Sequence, residues 1–145
     1  MGALKSAAPT YVGTVYPRDT DHMGHVNVAS YTQIFDSATW VFFDRCGLGR
    51  NYFDATQRGM AALEQQLTYK KELFAGDTVM VHTAILAVQE KTIRFRHTLQ
   101  LAVSGETVAT SELIGAHLDR KSHHAVPFPR EIAQCLHQHV REDRE

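Results

Sequence analysis

The chain has 145 residues, of which 43% are hydrophobic, 21% charged and 9% aromatic, so it suits one globular domain with a hydrophobic core and excludes disordered, collagen-like and low-complexity chains. Its 15 Lys and Arg balance 16 Asp and Glu, and this near-neutral charge provides no basic field for binding phosphate backbones, so we expect no nucleic-acid partner. No apolar run reaches the roughly 20 residues that span a bilayer, and the first residues lack the apolar stretch of a signal peptide. We therefore expect a soluble, cytoplasmic protein without a membrane partner.

The chain begins with a predicted strand and a polar turn, followed by a long helix. Thr10 to Arg18 alternates weakly and is rich in Tyr, Val and Thr, which predicts the strand. The polar, glycine-containing segment 19–27 predicts the turn. From Val28 to Cys46 apolar residues recur at the spacing of one helical face, with Asn27 placed as the N-cap and Gly47 as the left-handed stop.

The helical face comprises Tyr31, Ile34, Phe35, Ala38, Val41 and Phe42. Trp40 and Phe43 fall off this face, so we expect the helix to be covered on more than one side. Such a helix is predicted to be central in the fold.

The rest of the chain predicts strands and one terminal helix. A loose segment from Leu48 to Gly59 leaves a short helix open. The strands are predicted at residues 60–73, 77–88, 92–103 and 107–119, and a helix at about 130–141 follows Pro127 and Pro129. This order favours an α+β domain in which an antiparallel sheet of about five strands is paired with one long helix. We expect a single domain over residues 1–145, with its core at about 10–132.

The densest polar cluster lies directly before the long helix, in residues 19–27. Helix N-termini present unpaired N–H groups and a partial positive charge, which stabilise carbonyl oxygens and anions. A carboxylate from Asp19 or Asp21, brought back by a bend at Gly24, would place a base or nucleophile beside an oxyanion site. The alternative from the residues alone is that both aspartates only make Asx-turns.

The motif Asp21-x-x-Gly24-His25-Val26-Asn27, followed by Tyr31 and Phe35 on a helix, resembles the active-site segment of the 4-hydroxybenzoyl-CoA thioesterase family. Two further patterns resemble that family: Tyr69 with Gly76-Asp77, and Pro127-x-Pro129 after the last strand. The resemblance implies a hot-dog fold, with the sheet wrapped around the long central helix, and a homodimer or homotetramer. It also implies an acyl-CoA thioesterase without a cofactor, since CoA is part of the substrate. His25-Val26-Asn27 replaces the aromatic residue of one branch and resembles a histidine-valine-asparagine subgroup.

The resemblance implies roles for individual residues. Asp21 matches the catalytic carboxylate, either as nucleophile or as general base, and the N–H of Val28 matches the donor that polarises the thioester carbonyl. We expect Asn27 to cap the helix and His25 to orient Asp21 or water. Glu64 resembles a glutamate of betainyl-CoA thioesterases and is a candidate supporting catalytic residue, the alternative being exposure on the solvent face of a strand.

Other chemistries have weaker support. His22 and His25 with the two aspartates form too short and mobile a ligand set, so we expect no metal. Cys46 lies near a helix C-terminus, where the dipole disfavours a thiolate nucleophile. The Gly-x-Ser-x-Gly, Walker and dinucleotide motifs are absent from the sequence. The rival function is a non-catalytic acyl-CoA or acyl-carrier binding module of the same fold, and the acyl group stays open.

Overall fold

The computed structural model describes residues 8–140 of the chain. In that part the elements are β1 (Tyr11–Thr14), a short 3-10 helix (Pro17–Asp19), α1 (Val28–Arg45), α2 (Arg50–Thr56), β2 (Arg58–Tyr69), β3 (Thr78–Val88), β4 (Thr92–Leu101), β5 (Thr107–Asp119) and α3 (Arg130–Gln138). The strands form one five-stranded sheet in the order β1-β3-β4-β5-β2. β1 pairs antiparallel with β3, with Tyr11 opposite Val81. The order places β1 and β2 at the two edges of the sheet.

Two strands, β1 and β2, each end four residues before the predicted end. β1 ends at Thr14 rather than Arg18 because Pro17, which has no N–H to donate, begins the 3-10 helix instead. β2 ends at Tyr69 rather than at residue 73. Leu73 is fully buried, and its carbonyl accepts the N–H of Val26 at 2.9 Å. Leu73, at the end of the predicted strand, therefore packs beside the segment before α1 and does not extend β2.

The residues that begin and end α1 are those expected from the sequence. The Asn27 side chain accepts the backbone N–H of Ser30 at 2.8 Å, which is the N-cap geometry. Gly47 has a φ of 84°, a left-handed conformation that ends a helix and that residues with a Cβ adopt only with strain. Phe43 is buried as predicted. Trp40 is 53% exposed, so the prediction that its side of the helix is covered is wrong for a single chain.

The contacts of the chain divide into two units. The first comprises residues 8–41, Leu67–Thr83 and His97–Ser111. Its core is built by the first half of α1 and by strand residues, with these buried members among others: Tyr31, Phe35, Ala38, Val79, Val81, Leu99 and Val108. The second unit comprises Phe42–Gln66, Ala84–Arg96 and residues 112–140. Its core is aromatic, with these members among others: Phe42, Phe43, Phe53, Phe95, Phe128 and Leu136.

Each unit buries one histidine. In the first, His97 is fully buried and bonds Thr39 Oγ1 at 2.8 Å and Thr83 Oγ1 at 2.7 Å. Burial lowers the pKa of His97 to about 3, so the ring is neutral. In the second, His117 lies between the Tyr52 hydroxyl at 2.8 Å and the Val126 carbonyl at 2.9 Å. Because a carbonyl only accepts hydrogen bonds, the ring nitrogen that faces it must carry the proton. Nδ1 of His117 therefore donates to the Val126 carbonyl, and Nε2 accepts from the Tyr52 hydroxyl.

No helix among residues 8–140 is long and apolar enough to cross a membrane.

Leu136, on α3, is fully buried. The packed part of the chain therefore continues past residue 132, because α3 inserts this leucine into the aromatic core.

Candidate functional site

Residues 19–27 form a small hairpin directly before α1. Thr20 bridges Val26 in antiparallel fashion, and the backbone N–H of Asp21 donates to the His25 carbonyl at 3.0 Å. The turn closes with the N–H of Gly24 donating to the Asp21 carbonyl at 3.0 Å. Gly24 has a φ of 86°, which explains why a glycine stands at this position. The hairpin is the physical form of the polar turn expected from the sequence.

The hairpin sorts its side chains onto two faces. Because side chains alternate along a strand, Thr20 and Val26 share one face, and Asp21 and His25 share the other. Val26 is buried in the first core and pins its face there. The opposite face therefore carries Asp21 and His25, whose backbones are joined by the Asp21 N–H to His25 carbonyl bond. The structure thus places Asp21 and His25 on one face of the hairpin, with Asn27 at the start of α1 as the cap on Ser30.

One carboxylate oxygen of Asp21 is committed to the loop. Asp21 Oδ1 accepts the N–H of Met23 at 2.8 Å, which is the Asx-turn anticipated as the structural alternative. Among residues 8–140, the second oxygen, Oδ2, has no hydrogen-bond partner, and the residue is half-buried. The turn therefore fixes the carboxylate in place and leaves one oxygen for chemistry.

His25 has a neighbour that sequence reasoning missed. Its Nε2 lies 3.6 Å from Glu72 Oε2, while its Nδ1 is 3.5 Å from the Val26 carbonyl. Glu72 precedes the buried Leu73, whose carbonyl holds the hairpin at Val26. In the sequence Glu72 follows Lys70 and Lys71, and no pattern there links it to His25. Its partner is too distant in the chain for a periodic pattern to reveal.

The first turn of α1 presents backbone donors. The N–H of Ser30 is taken by the Asn27 cap, but the N–H groups of Val28 and Ala29 have no hydrogen-bond partner among residues 8–140. Val28 is 63% exposed, so its N–H can be approached from outside the helix. Together with the helix dipole, these donors favour an oxygen that carries negative charge.

Glu64 lies in the second unit, exposed in the middle of β2. Within the described part of the chain its side chain makes no hydrogen bond or ion pair. Its exposure is what the solvent-face alternative predicts.

A cavity of about 460 Å³ lies beside the hairpin in the first unit. We call it the β1–α1 cavity, since its walls come from β1, the 3-10 helix and the first two turns of α1, closed by Val26 and by Val79 of β3. Its polar lining residues are Tyr11, Thr14, Tyr16, Arg18, Asp19, Ser30 and Gln33. Asp19 therefore lines the cavity, whereas Asp21 does not. Sequence reasoning missed this space because it depends on how β1, the 3-10 helix and α1 pack against one another, which periodic patterns do not show.

Two competing chemistries are constrained by the structure. Within residues 8–140, no group of three or more His, Cys, Asp and Glu side chains is arranged to hold a metal ion. Burial raises the pKa of the Cys46 thiol to about 12, so it is a thiol rather than a thiolate at neutral pH.

Known proteins resemble this chain over most of its length. The family model described as the thioesterase-like superfamily matches residues 15–136. A betainyl-CoA thioesterase of Pseudomonas aeruginosa is 31% identical over 129 residues, which cover 89% of this chain and 81% of the relative.

Two solved structures are similar as well. A putative thioesterase of Pseudomonas putida is 33% identical, with a TM-score of 0.78 over 92% of this chain and 85% of that chain. A hypothetical protein of Staphylococcus aureus, solved in complex with CoA, has a TM-score of 0.85 over 93% of this chain and 87% of that chain. That protein is 22% identical, so its similarity is one of fold alone.

Proposed function

The chain belongs to the thioesterase-like superfamily, has the hot-dog fold and is a thioester hydrolase, and we propose that it hydrolyses acyl-CoA with Asp21 as its catalytic carboxylate. The observation that supports this role is the hairpin before α1. It holds one Asp21 oxygen through Met23, leaves the other available, and leads directly into a helix start with two unoccupied N–H donors. A finer place in the histidine-valine-asparagine subgroup of 4-hydroxybenzoyl-CoA thioesterases is part of the proposal.

In the proposed mechanism the helix start polarises the thioester. The carbonyl oxygen accepts the N–H of Val28, and the helix dipole stabilises the negative charge that develops on it. Asp21 then either removes a proton from water, whose oxygen adds to the carbonyl carbon, or attacks that carbon itself to form a mixed anhydride that water hydrolyses. In both routes the C–S bond breaks, the electron pair leaves with sulfur, and a proton converts the CoA thiolate to the thiol. No cofactor is required.

The neighbouring residues have proposed supporting roles. Asn27 holds the helix start in register by capping Ser30. His25 lies opposite Asp21 in the hairpin and is proposed to orient its carboxylate or the attacking water. Glu64 remains a proposed supporting carboxylate. An effect of Glu64→Gln on kcat, with the free energy of unfolding unchanged, would support this role because an exposed side chain contributes little to stability.

We also propose that the chain is a single domain that works as a homodimer or homotetramer. β1 and β2 are the edges of the sheet, and β2 exposes Leu63 at 59% and Tyr69 at 46%. An unpaired strand edge with exposed apolar side chains is a surface that a second copy covers.

A panel of acyl-CoA thioesters with a free-thiol readout tests the function. The substrate in the printed name of the Pseudomonas aeruginosa relative, betainyl-CoA, is the first to assay, beside aromatic and aliphatic acyl groups. Turnover of at least one thioester supports the enzyme. Binding of acyl-CoA without release of thiol by any panel member would favour the non-catalytic binding module instead.

A further inference from the structure

The β1–α1 cavity has an aromatic wall made possible by one glycine. A Cβ built at Gly13 would lie 2.5 Å from the Tyr11 hydroxyl oxygen, so the phenol end of Tyr11 lies directly over this glycine. Tyr11 and Gly13 both line the cavity. The ring thereby occupies space that any other residue at position 13 would fill.

Beside this ring the 3-10 helix holds a carboxylate. Asp19 Oδ2 accepts the N–H of Tyr16 at 2.9 Å, which fixes the side chain at the cavity wall. Burial raises the pKa of Tyr11, and the negative charge of Asp19 raises it further, so the phenol stays protonated and lies within the field of that carboxylate. Among residues 8–140, no Lys, Arg or His forms an ion pair with Asp19.

Among the described residues that line the cavity, Arg18 is the single cation, and it faces an aromatic ring. The Arg18 guanidinium carbon lies 4.6 Å from the centre of the Tyr16 ring, and both residues are exposed. A tyrosine face in this wall thus already holds a positive charge. Arg18 leaves the Asp19 carboxylate without an ion pair, although its own charge repels a second cation nearby.

These features fit a weakly hydrated cation better than a neutral or anionic group. A quaternary ammonium loses little hydration on leaving water, and tyrosine faces and carboxylates attract it. The remaining wall includes Val15, Ile34 and Val79, whose apolar surfaces suit its methyl groups. The cavity volume of about 460 Å³ accommodates such a group.

We infer that the β1–α1 cavity holds an acyl group ending in a quaternary ammonium, with Asp19 and Tyr11 as its specificity-determining contacts. The inference rests on the proposed acyl-CoA thioesterase function. The cavity reaches Ser30, two residues after the proposed carbonyl-binding N–H of Val28, so it adjoins the reacting end of the acyl group. In a betainyl group the nitrogen is only two bonds from the carbonyl carbon, which matches this proximity.

The test compares two thioesters of the same shape. Betainyl-CoA carries a trimethylammonium group, and 3,3-dimethylbutanoyl-CoA carries an uncharged tert-butyl group in its place. The readout is the ratio of kcat/KM for the charged over the neutral substrate, measured for each enzyme form. Because the two acyl groups differ in intrinsic reactivity, the change in this ratio between variants carries the information, and partial misfolding of a variant cancels from it.

Asp19→Asn keeps an oxygen for the Tyr16 N–H but removes the charge, and we expect it to lower the ratio about tenfold or more. Arg18→Gln removes a repelling charge from an exposed side chain and should raise the ratio by about two- to fivefold. Asp36→Asn, an exposed carboxylate on α1 outside the cavity, is the matched control and should leave the ratio unchanged.

The outcomes separate this inference from the proposed function. Hydrolysis of both substrates with the same ratio in wild type, Asp19→Asn and Arg18→Gln would overturn the inference and leave the thioesterase intact. Hydrolysis of other acyl-CoAs but not of betainyl-CoA would also overturn it. If the wild type hydrolysed no acyl-CoA, the proposed function would be refuted, and the inference with it.

Discussion

Acid should destabilise the protein through His97, which the fold buries in its neutral form. The side chain is fully buried, and burial lowers its pKa from 6.5 to about 3. Between these two values the unfolded chain binds a proton at this site and the folded chain does not, so the free energy of unfolding falls as the pH falls. Above pH 6.5 both states are neutral, and the effect of this group on the pH dependence disappears.

The magnitude follows from the width of this interval. One proton taken up only by the unfolded state costs about 1.4 kcal/mol of stability per pH unit. Lowering the pH from 6.5 to about 4.5 should therefore remove about 2–3 kcal/mol through His97 alone. Such a loss is a large part of the stability of a small domain.

Urea denaturation of wild type and His97→Gln across this pH range isolates the effect. His97→Gln retains groups that can bond Thr39 and Thr83 but cannot take up the proton, so its unfolding free energy should depend less steeply on pH by about 1.4 kcal/mol per unit. His82→Gln is the matched control, since His82 is exposed, bonds Gln100 at 3.1 Å and should leave the slope unchanged. Equal slopes for wild type and His97→Gln would refute the assignment of His97 as a buried neutral group.

Three further predictions concern the helix start, metal and assembly. Asn27→Ala should lower the free energy of unfolding by about 1 kcal/mol, measured by urea denaturation, whereas Asn27→Asp should retain the cap on Ser30. Extensive chelation should leave thioester hydrolysis at its full rate, since backbone N–H groups supply the proposed oxyanion stabilisation; loss of activity with recovery on adding a divalent ion would contradict this. Dilution below the subunit dissociation constant should lower activity per chain before far-UV circular dichroism changes, and a fully active monomer by sedimentation would refute the proposal that the chain works as an oligomer.

Local patterns predicted most of the fold. The caps Asn27 and Gly47 bounded α1 within one residue of the observed helix, and the five strands appear in the expected order. The hot-dog fold expected from the resemblance is confirmed by the match to the thioesterase-like superfamily and by the solved structures. The ends of α1 and the order of the strands depend on spacing along the chain, which a sequence displays directly.

Features made by distant residues escaped prediction. The sequence pattern placed Leu73 in a strand. In the structure its side chain is buried, and its carbonyl accepts the N–H of Val26 and so supports the hairpin. Glu72 beside His25 was not predicted for the same reason, and the cavity lined by Asp19 was not predicted because it depends on how neighbouring elements pack together. Trp40 was predicted to be covered but is exposed, because the apolar character of a side chain does not specify which surface covers it.

The most direct test of the catalytic role of Asp21 is the turnover of Asp21→Asn on the best acyl-CoA of the panel. An asparagine oxygen can still accept the Met23 N–H, so the hairpin and the free energy of unfolding should be retained, but an amide is neither a base nor a nucleophile. We expect kcat to fall by about 100-fold or more, and Asp19→Asn to lower turnover of the neutral 3,3-dimethylbutanoyl-CoA much less. Equal turnover by wild type and a folded Asp21→Asn would contradict the assignment of Asp21 as the catalytic carboxylate.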